Sequence, residues 1–342
     1  MVKIAINGFG RIGRCAFKIA LDRRDTEIVA INNRSGSPEL FSHLIKYDTI
    51  YGIYNREVSF DKNNIIIDGK PIRFFNESDP TNLPWKELDV DVVLECTGAF
   101  TDPAKAKAHL KSGAKKVVIS APAKGEGAKT IVIGANDYEL TEDDKIISCA
   151  SCTTNCIAPV MKVLEDKIGI KKAMMTTVHS YTPSQSLSDS PSKSFRLSRA
   201  ATENIIPSTT GASKTTALTI PSLTNKFDGL SIRVPTPTVS LCDLVAVTKR
   251  KTSIDEINNI FRQASKEAFY EGILISTDEE LVSSDYIGNA HSCIVDLPLT
   301  NVVDEDLIKI VAWYDNEWGY SNRLVELSVD AAKMRPLTKD SK

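Results

Sequence analysis

Short apolar runs alternate with amphipathic stretches through the first half of the chain. Val2-Lys3-Ile4-Ala5-Ile6 precedes a stretch of helical spacing from Cys15 to Leu21, and Glu27-Ile28-Val29-Ala30-Ile31 follows. The rhythm returns with Asp91 to Cys96, Pro103 to Ser112, Lys116 to Ser120 and Thr130 to Gly134. Strands separated by helices pair in parallel, so this half predicts βαβ units on one sheet. After Cys156 the strands lengthen and the connections become more polar, as in Leu230 to Pro235, Leu241 to Lys249 and Leu307 to Tyr314. That half predicts a second, mostly antiparallel domain. The amphipathic stretch Tyr320 to Met334 predicts a last helix that returns to the first domain. The expected division is therefore 1–150 with 317–342, and 151–316 including the loop 180–204.

At 342 residues the chain is long enough for two domains with sizeable cores. Hydrophobic residues make up 42%, charged residues 25%, and the formal net charge is −2, which gives no footprint for nucleic acid or an anionic membrane. Small-molecule partners are expected. No apolar run approaches the ~20 residues of a membrane span, and the N-terminus lacks a signal-peptide pattern, so the expectation is a cytoplasmic protein. Seven cysteines form no small-scaffold spacing, and reduced thiols follow. Cys152 and Cys156 share a helix face, but clustered histidines or a second cysteine pair are absent, so no metal is expected.

The first chemical signal is Asn7-Gly8-Phe9-Gly10-Arg11-Ile12-Gly13-Arg14, a G-x-G-x-x-G turn with a strand before it and a helix after. Gly8 permits the tight turn, Gly10 lets a pyrophosphate approach the backbone, and Gly13 allows close packing of helix on sheet. These features read as a Rossmann-type dinucleotide-binding domain; the whole chain reads as α/β, with an α+β catalytic domain carrying the antiparallel sheet.

The second signal is Ser151-Cys152-Thr153-Thr154-Asn155-Cys156. Lys145-Ile146-Ile147 leads in and Ile157 to Leu164 leads out with helical spacing, which puts Cys152 at a strand-to-helix junction. Helix-terminal N–H groups favour a thiolate and a developing oxyanion. A cysteine is otherwise most often a small buried hydrophobe. Of the four histidines, His43 and His109 fall in amphipathic stretches and read as ordinary surface or half-buried residues. His179 ends the run Ala173-Met174-Met175-Thr176-Thr177-Val178, which alternates poorly and reads as a buried strand. An imidazole at such a strand end can serve as base to a cysteine. The serine-rich segment Ser180 to Ala200 reads by composition as a flexible loop; starting directly after His179, it is expected to be functional.

Taken together, the fingerprint from Ile6 to Arg14, Ala150 to Cys156, Thr177-Val178-His179-Ser180-Tyr181-Thr182, Arg233-Val234-Pro235-Thr236-Pro237 and Trp313 to Tyr320 resemble the phosphorylating glyceraldehyde-3-phosphate dehydrogenase family from end to end. The resemblance implies that Cys152 attacks an aldehyde to form a thiohemiacetal, that His179 acts as base while hydride passes to NAD(P), and that inorganic phosphate cleaves the thioester to give 1,3-bisphosphoglycerate. It implies that the imidazolium of His179 favours the Cys152 thiolate in the free enzyme. It assigns Thr182 and Arg233 to the C3 phosphate of glyceraldehyde 3-phosphate, and Ser151, Thr153, Thr210 and Gly211 to the attacking phosphate. Asn316 is assigned to the nicotinamide carboxamide, with Arg11, Ile12, Ser78 and Ser120 on the rest of the cofactor. The serine-rich loop is similar to one that approaches a neighbouring subunit's cofactor in a homotetramer.

Three positions depart from the family pattern. Cys149 replaces a common asparagine. Leu197 stands where some members carry an arginine, leaving Arg196 and Arg199 as stand-ins. The acid that normally accepts the adenosine ribose hydroxyls is replaced in Asn32-Asn33-Arg34-Ser35. Asn33 removes repulsion of a 2′-phosphate while Arg34 and Ser35 offer it a cation and a hydroxyl, so NADP is expected to be preferred over NAD. Ser190, where a NAD-preferring relative often has leucine, points the same way. Erythrose-4-phosphate dehydrogenase, and a binding or adhesion protein on the same fold, are the alternatives. Tyr181-Thr182 and Ser208 to Ala212 favour the triose enzyme, and the intact Cys152, His179, Arg233 and Asn316 argue against pure binding.

Overall fold

The computed structural model describes residues 1–192 and 194–334; Lys193 of the serine-rich loop and residues 335–342, part of the expected first domain, lie outside the described residues. The chain forms two compact units. One comprises residues 1–131, 138–150 and those from Ser321 onward, and the other 132–137 with 151–320.

The first unit is a nine-stranded sheet in the order Lys129–Thr130, Ile146–Ser148, Lys116–Ile119, Val92–Glu95, Val2–Asn7, Thr26–Asn32, Lys70–Phe75, Asn64–Ile67, Val58–Phe60. The first seven run parallel, and an antiparallel pair extends the far edge. Val92–Glu95 and Lys116–Ile119 are buried along their whole length, as expected of parallel strands covered on both faces. The helices start at identifiable caps. Ser37 accepts the Leu40 N–H before Pro38–Lys46, and Asp102 accepts the Ala104 N–H before Pro103–Lys111, each with proline at the first turn.

Two expectations for this part of the chain are corrected. Thr130 to Gly134 is not a strand beyond Thr130, because the Asn136 side chain takes the Val132 N–H at 2.9 Å and Gly134 turns at φ 83. His109 is neither surface nor half-buried; it is fully enclosed. Its Nε2 sits 3.0 Å from Glu95 Oε2 and its Nδ1 receives the Trp85 Nε1–H at 3.0 Å. Asn7 donates to Glu95 at 2.6 Å, Asn32 donates to Asn7 at 2.7 Å, and the Glu77 N–H closes the chain on Asn32 Oδ1 at 2.9 Å. This satisfied polar network ties three parallel strand ends together directly beneath the glycine turn.

The second unit carries a seven-stranded sheet in the order Ile206–Thr209, Phe227–Val234, Ile170–Ser180, Ser240–Thr248, Leu307–Tyr314, Cys293–Val303, Leu274–Thr277. Ile170–Ser180 with Phe227–Val234, and Leu274–Thr277 with Cys293–Val303, run parallel; the other four pairings are antiparallel. Helices Cys152–Lys167, Ala212–Thr219 and Ile254–Ala264 cover one face, where Ile157, Met161, Leu164, Met175, Leu244 and Ile310 make the core. The Ile170–Ser180 strand is therefore buried on one side only. Ala173, Met175, Thr177 and His179 point into the core, while Met174 is 67% exposed on the other side. The sequence hid this alternation because the outer face is apolar too. Met174, Leu230, Val245 and Leu307 line an open concavity of about 760 Å³ there. The last helix runs Trp318–Lys333, two residues earlier at its start than the spacing suggested; from Ser321 on it belongs to the first unit, where Lys333 pairs with Asp25 at 2.8 Å.

Candidate active site

The cysteine is set by its turn. Ala150 adopts φ 57, a left-handed conformation uncommon outside glycine, and Ser151 then caps the helix by accepting the Thr154 N–H at 3.1 Å. A cap of this kind stabilises a helix by ~1 kcal/mol. Cys152 is thereby the first helical residue, partly exposed, with its thiol at the positive end of a sixteen-residue helix.

The strand Ile170–Ser180 brings His179 to it, with Nε2 3.5 Å from Cys152 Sγ. Arg233 is the parallel-strand neighbour of His179 in register, and its Nη1 lies 2.6 Å from His179 Nδ1 and 3.1 Å from the Ser180 carbonyl oxygen. Nδ1 is also 2.7 Å from that carbonyl. A guanidinium only donates, so Arg233 on Nδ1 leaves the hydrogen on Nε2, facing sulfur. If Nδ1 instead carries the hydrogen it donates to Ser180, and Nε2 becomes an acceptor. The two hydrogen bonds to Nδ1 exclude each other, and the position of Arg233 selects the tautomer.

The charge states differ from the expected imidazolium–thiolate pair. Burial first, and Arg233 second, push His179 down to about 3, so the imidazole is neutral at physiological pH. Burial pushes the Cys152 thiol up to about 11, opposed by the Arg233 charge and by Thr153. The cation that favours a thiolate here is Arg233.

Beneath the pair runs a chain of buried hydroxyls. Thr177 donates to the Leu241 carbonyl oxygen at 3.1 Å, which leaves it to accept from the Tyr314 hydroxyl at 2.9 Å, and Tyr314 in turn accepts from Thr153 at 2.8 Å. Thr153, expected at the attacking-phosphate site, thus turns its hydroxyl into the core; its backbone N–H remains at the helix start. Ser151 Oγ is 2.7 Å from Thr154 Oγ1. Thr182 Oγ1 is 2.8 Å from Ser184 Oγ. Thr210 accepts the Ala212 N–H at 3.1 Å, and Gly211 begins Ala212–Thr219 with nothing within 4 Å of where a Cβ would stand.

Asn316 is held by two serines: Ser240, which carries no functional signal in the sequence, and Ser180, the first residue of the serine-rich segment. Ser180 and Ser240 each donate to its Oδ1 at 3.0 Å. Ser240 follows Val239, a β-branched residue at φ 66 whose conformation costs ~1–3 kcal/mol. The described residues of the serine-rich loop, which composition reads as flexible, bond to one another. Ser190 N–H donates to Ser198 O at 2.9 Å, Ala201 N–H to Ser186 O at 3.0 Å, and Arg199 pairs with Asp189 at 2.7 Å. Leu197 is half-buried within it, Arg196 is exposed, and Phe195 stands 96% exposed at its surface.

In the first unit the glycine turn fits a dinucleotide. Gly8 has φ 94, and a Cβ on it would sit 2.6 Å from the Thr97 nitrogen; a Cβ on Gly13 would sit 2.2 Å from the Gly8 oxygen. Gly10 has open space instead, and it starts helix Arg11–Asp22 with no side-chain cap. That helix begins four residues before the expected Cys15. Arg11 directs its side chain to Asp48 at 2.6 Å, and Ile12 is half-buried behind it. Asn33 accepts the Phe9 N–H at 2.9 Å and donates to the Ser35 carbonyl oxygen at 2.7 Å, so its amide shapes the turn. Arg34 and Ser78 are exposed, and Ser120 is half-buried with its N–H on the Glu95 carbonyl. Cys149 is buried at the foot of the catalytic turn. Among the described residues no cluster of His, Cys, Asp and Glu forms a metal site.

A dinucleotide-binding unit joined to a unit that pairs a helix-terminal cysteine with a strand-end histidine defines a nicotinamide-dependent oxidoreductase. The particular family is given by comparison. Residues 2–103 match the glyceraldehyde 3-phosphate dehydrogenase NAD binding domain, and residues 151–316 match the glyceraldehyde 3-phosphate dehydrogenase C-terminal domain. The chain is 51% identical over 334 residues to a glyceraldehyde-3-phosphate dehydrogenase of Zymomonas mobilis, covering 97% of this chain and 99% of the relative. It is 50% identical over 330 residues to that of Streptomyces coelicolor, covering 96% and 98%. A third relative, glyceraldehyde-3-phosphate dehydrogenase 2 of Bacillus subtilis, is 49% identical over 327 residues, covering 95% of each chain. The chain belongs to the glyceraldehyde-3-phosphate dehydrogenase family.

Proposed function

We propose that the protein oxidises glyceraldehyde 3-phosphate with uptake of inorganic phosphate, giving 1,3-bisphosphoglycerate. The observation that carries this reading is Cys152 Sγ at 3.5 Å from His179 Nε2 with Arg233 against the far side of the imidazole. The Cys152 sulfur adds to the aldehyde carbon as its thiol proton passes by way of His179 Nε2 to the carbonyl oxygen, which completes a thiohemiacetal. His179 Nε2 then takes the hydroxyl proton as the carbon loses hydride. A bound nicotinamide supplies the hydride acceptor. Phosphate oxygen attacks the resulting thioester, and Cys152 leaves as thiolate.

For Nε2 to accept that proton, Nδ1 must hold the other hydrogen and donate to Ser180. Arg233 has to leave Nδ1 for this to happen, and a substrate C3 phosphate is the natural group to draw it away. Arg233 thereby couples phosphate recognition to the basic tautomer of His179. Thr182 stands with it on the substrate phosphate; Ser151, the Thr153 N–H, Thr210 and Gly211 receive the attacking phosphate.

Gly8, Gly10, Arg11, Ile12 and Gly13 would hold the cofactor's pyrophosphate, and Asn316 would hold its carboxamide. Ser78 and Ser120 complete the contacts. Neutral Asn33 and the exposed Arg34 favour NADP over NAD. A homotetramer is supported by the apolar outer face of the catalytic sheet and by the exposed Phe195 and Leu187 of the serine-rich loop. All seven cysteines are free thiols and no described helix is long and apolar enough to cross a membrane, in keeping with a cytoplasmic site of action.

The test is phosphate-dependent reduction of NADP and NAD with glyceraldehyde 3-phosphate and with erythrose 4-phosphate. Faster turnover of the triose, and an Arg233→Ala change that raises KM for it far more than for glyceraldehyde, is the expected result. No turnover of either sugar would overturn the reading.

A further inference from the structure

We infer that Ser180 and Ser240 are positioning residues that fix which end of the Asn316 amide is offered to the coenzyme. The inference rests on the assignment of Asn316 to the nicotinamide carboxamide. Both serines are buried, and both hydroxyls lie 3.0 Å from Asn316 Oδ1. A third bond sets their direction. Ser240 Oγ accepts the Ser180 N–H at 3.1 Å, and Asn316 Oδ1 is the acceptor in reach of its own hydrogen among the described residues. Ser180 Oγ gives its hydrogen to the same oxygen. A flipped amide would aim Nδ2 at the two hydroxyls and leave both serine hydrogens without an acceptor among the described residues, a double loss in a buried place.

Oδ1 therefore stays inward and Nδ2 faces outward. Nδ2 has no partner among the described residues and is not shut away from solvent. As a donor, it selects a carbonyl oxygen: the C=O of a carboxamide ring substituent and not its NH₂. The backbone supports the same grip from both sides. Thr238, on the other side of the strained Val239, donates to Asp315 Oδ1 at 3.2 Å, and that carboxylate accepts the Glu317, Trp318 and Gly288 N–H groups at 2.9 Å each. Residues 315 to 318 are fixed before any ligand arrives, and the amide has one orientation.

The experiment combines three changes. Ser180→Ala/Ser240→Ala is expected to lower kcat for glyceraldehyde 3-phosphate 10- to 100-fold, with KM for the aldehyde within threefold. The affinity for ADP-ribose, which lacks the nicotinamide ring, and the rate of Cys152 alkylation by iodoacetamide should stay within twofold. Made in an Asn316→Ala background, the serine changes should cost less than a further twofold. Asn316→Asp keeps an acceptor for both serines but presents oxygen to oxygen, and should lose at least as much kcat as Asn316→Ala at unchanged Tm. Native kcat in the serine pair, full additivity with Asn316→Ala, an equal fall in alkylation, or native kcat in Asn316→Asp would each overturn the inference. If Asn316→Ala alone leaves kcat and coenzyme affinity untouched, the carboxamide assignment itself falls; if it costs activity while the serine pair does not, only the role of the serines falls.

Discussion

The two units solve their binding problems with different materials. The dinucleotide cradle is backbone: Gly8, Gly10 and Gly13 fall within six residues, and what matters is the side chain each lacks. The catalytic site is side chain: Cys152, His179, Arg233 and Asn316 span 165 positions and meet only through sheet register and helix packing. A backbone site tolerates change in everything except local conformation. A side-chain site depends on partners that hold each group from behind, here Ser180, Ser240, Thr177 and Tyr314.

The sharpest break between the units comes from Cys152→Ser. Oxidation with phosphate uptake should be abolished while NADP and NAD affinity stays near native, because a serine hydroxyl is not ionised at neutral pH and Cys152 is not among the residues assigned to the cofactor. Titration of coenzyme binding beside the activity assay checks both halves. Retained activity would remove Cys152 as nucleophile.

Next in size is His179→Asn, expected to lower kcat by ~10² to 10⁴, the range for a lost general base. Because the ligand-free imidazole is neutral and Arg233 is the nearby cation, alkylation of Cys152 at pH 8 should fall more in Arg233→Met than in His179→Asn. The opposite order of alkylation rates would mean that the histidine, and not the arginine, activates the thiol.

What could be read from the sequence follows the same division. Gly8 to Gly13 announces the cradle because its spacing is local, and Cys152 is placed at a helix start by the apolar run that leads in and the helical spacing that leads out. The burial of His109 is hidden in the sequence because it depends on Glu95, Trp85 and Asn7, none of which its own helix reveals. Ser240 and Tyr314 are silent in the sequence for the same reason: their importance lies in which atom they face across the sheet. Thr130 to Gly134 read as a strand because nothing in its apolar pattern shows that Asn136 will take the Val132 N–H. Arg11–Asp22 starts early because its cap, Gly10, leaves no side-chain mark.

Cofactor choice tests the cradle at its edge, where a side chain does intrude. Native enzyme should use NADP at least as well as NAD by kcat/KM, and Asn33→Asp/Arg34→Leu should move the ratio toward NAD tenfold or more. The restored carboxylate accepts ribose hydroxyls and repels a 2′-phosphate. It also sets an oxygen against the Ser35 carbonyl where Asn33 now donates at 2.7 Å, so some loss of affinity for both cofactors is expected. A native preference for NAD of tenfold or more, or an unmoved ratio in the double variant, would return Asn33 to a purely structural role.

The smallest effect is on stability, and it belongs to the side-chain site alone. His179 titrates near 6.5 when unfolded and is pushed to about 3 when folded, so the unfolded state binds the extra proton. Stability is full above the unfolded value and declines as pH falls below it, by at most about 1.4 kcal/mol per pH unit for one proton, down toward the folded value. Urea unfolding at pH 7.5, 6 and 5 should therefore show a steeper acid loss in the native protein than in His179→Gln, which keeps the volume and cannot titrate. No titratable group of the glycine turn is involved, so Gly10→Ala should leave the native slope in place. Equal slopes in native and His179→Gln would mean that the folded imidazole takes up its proton over the same pH range as the unfolded one, and so is not held neutral by burial and Arg233.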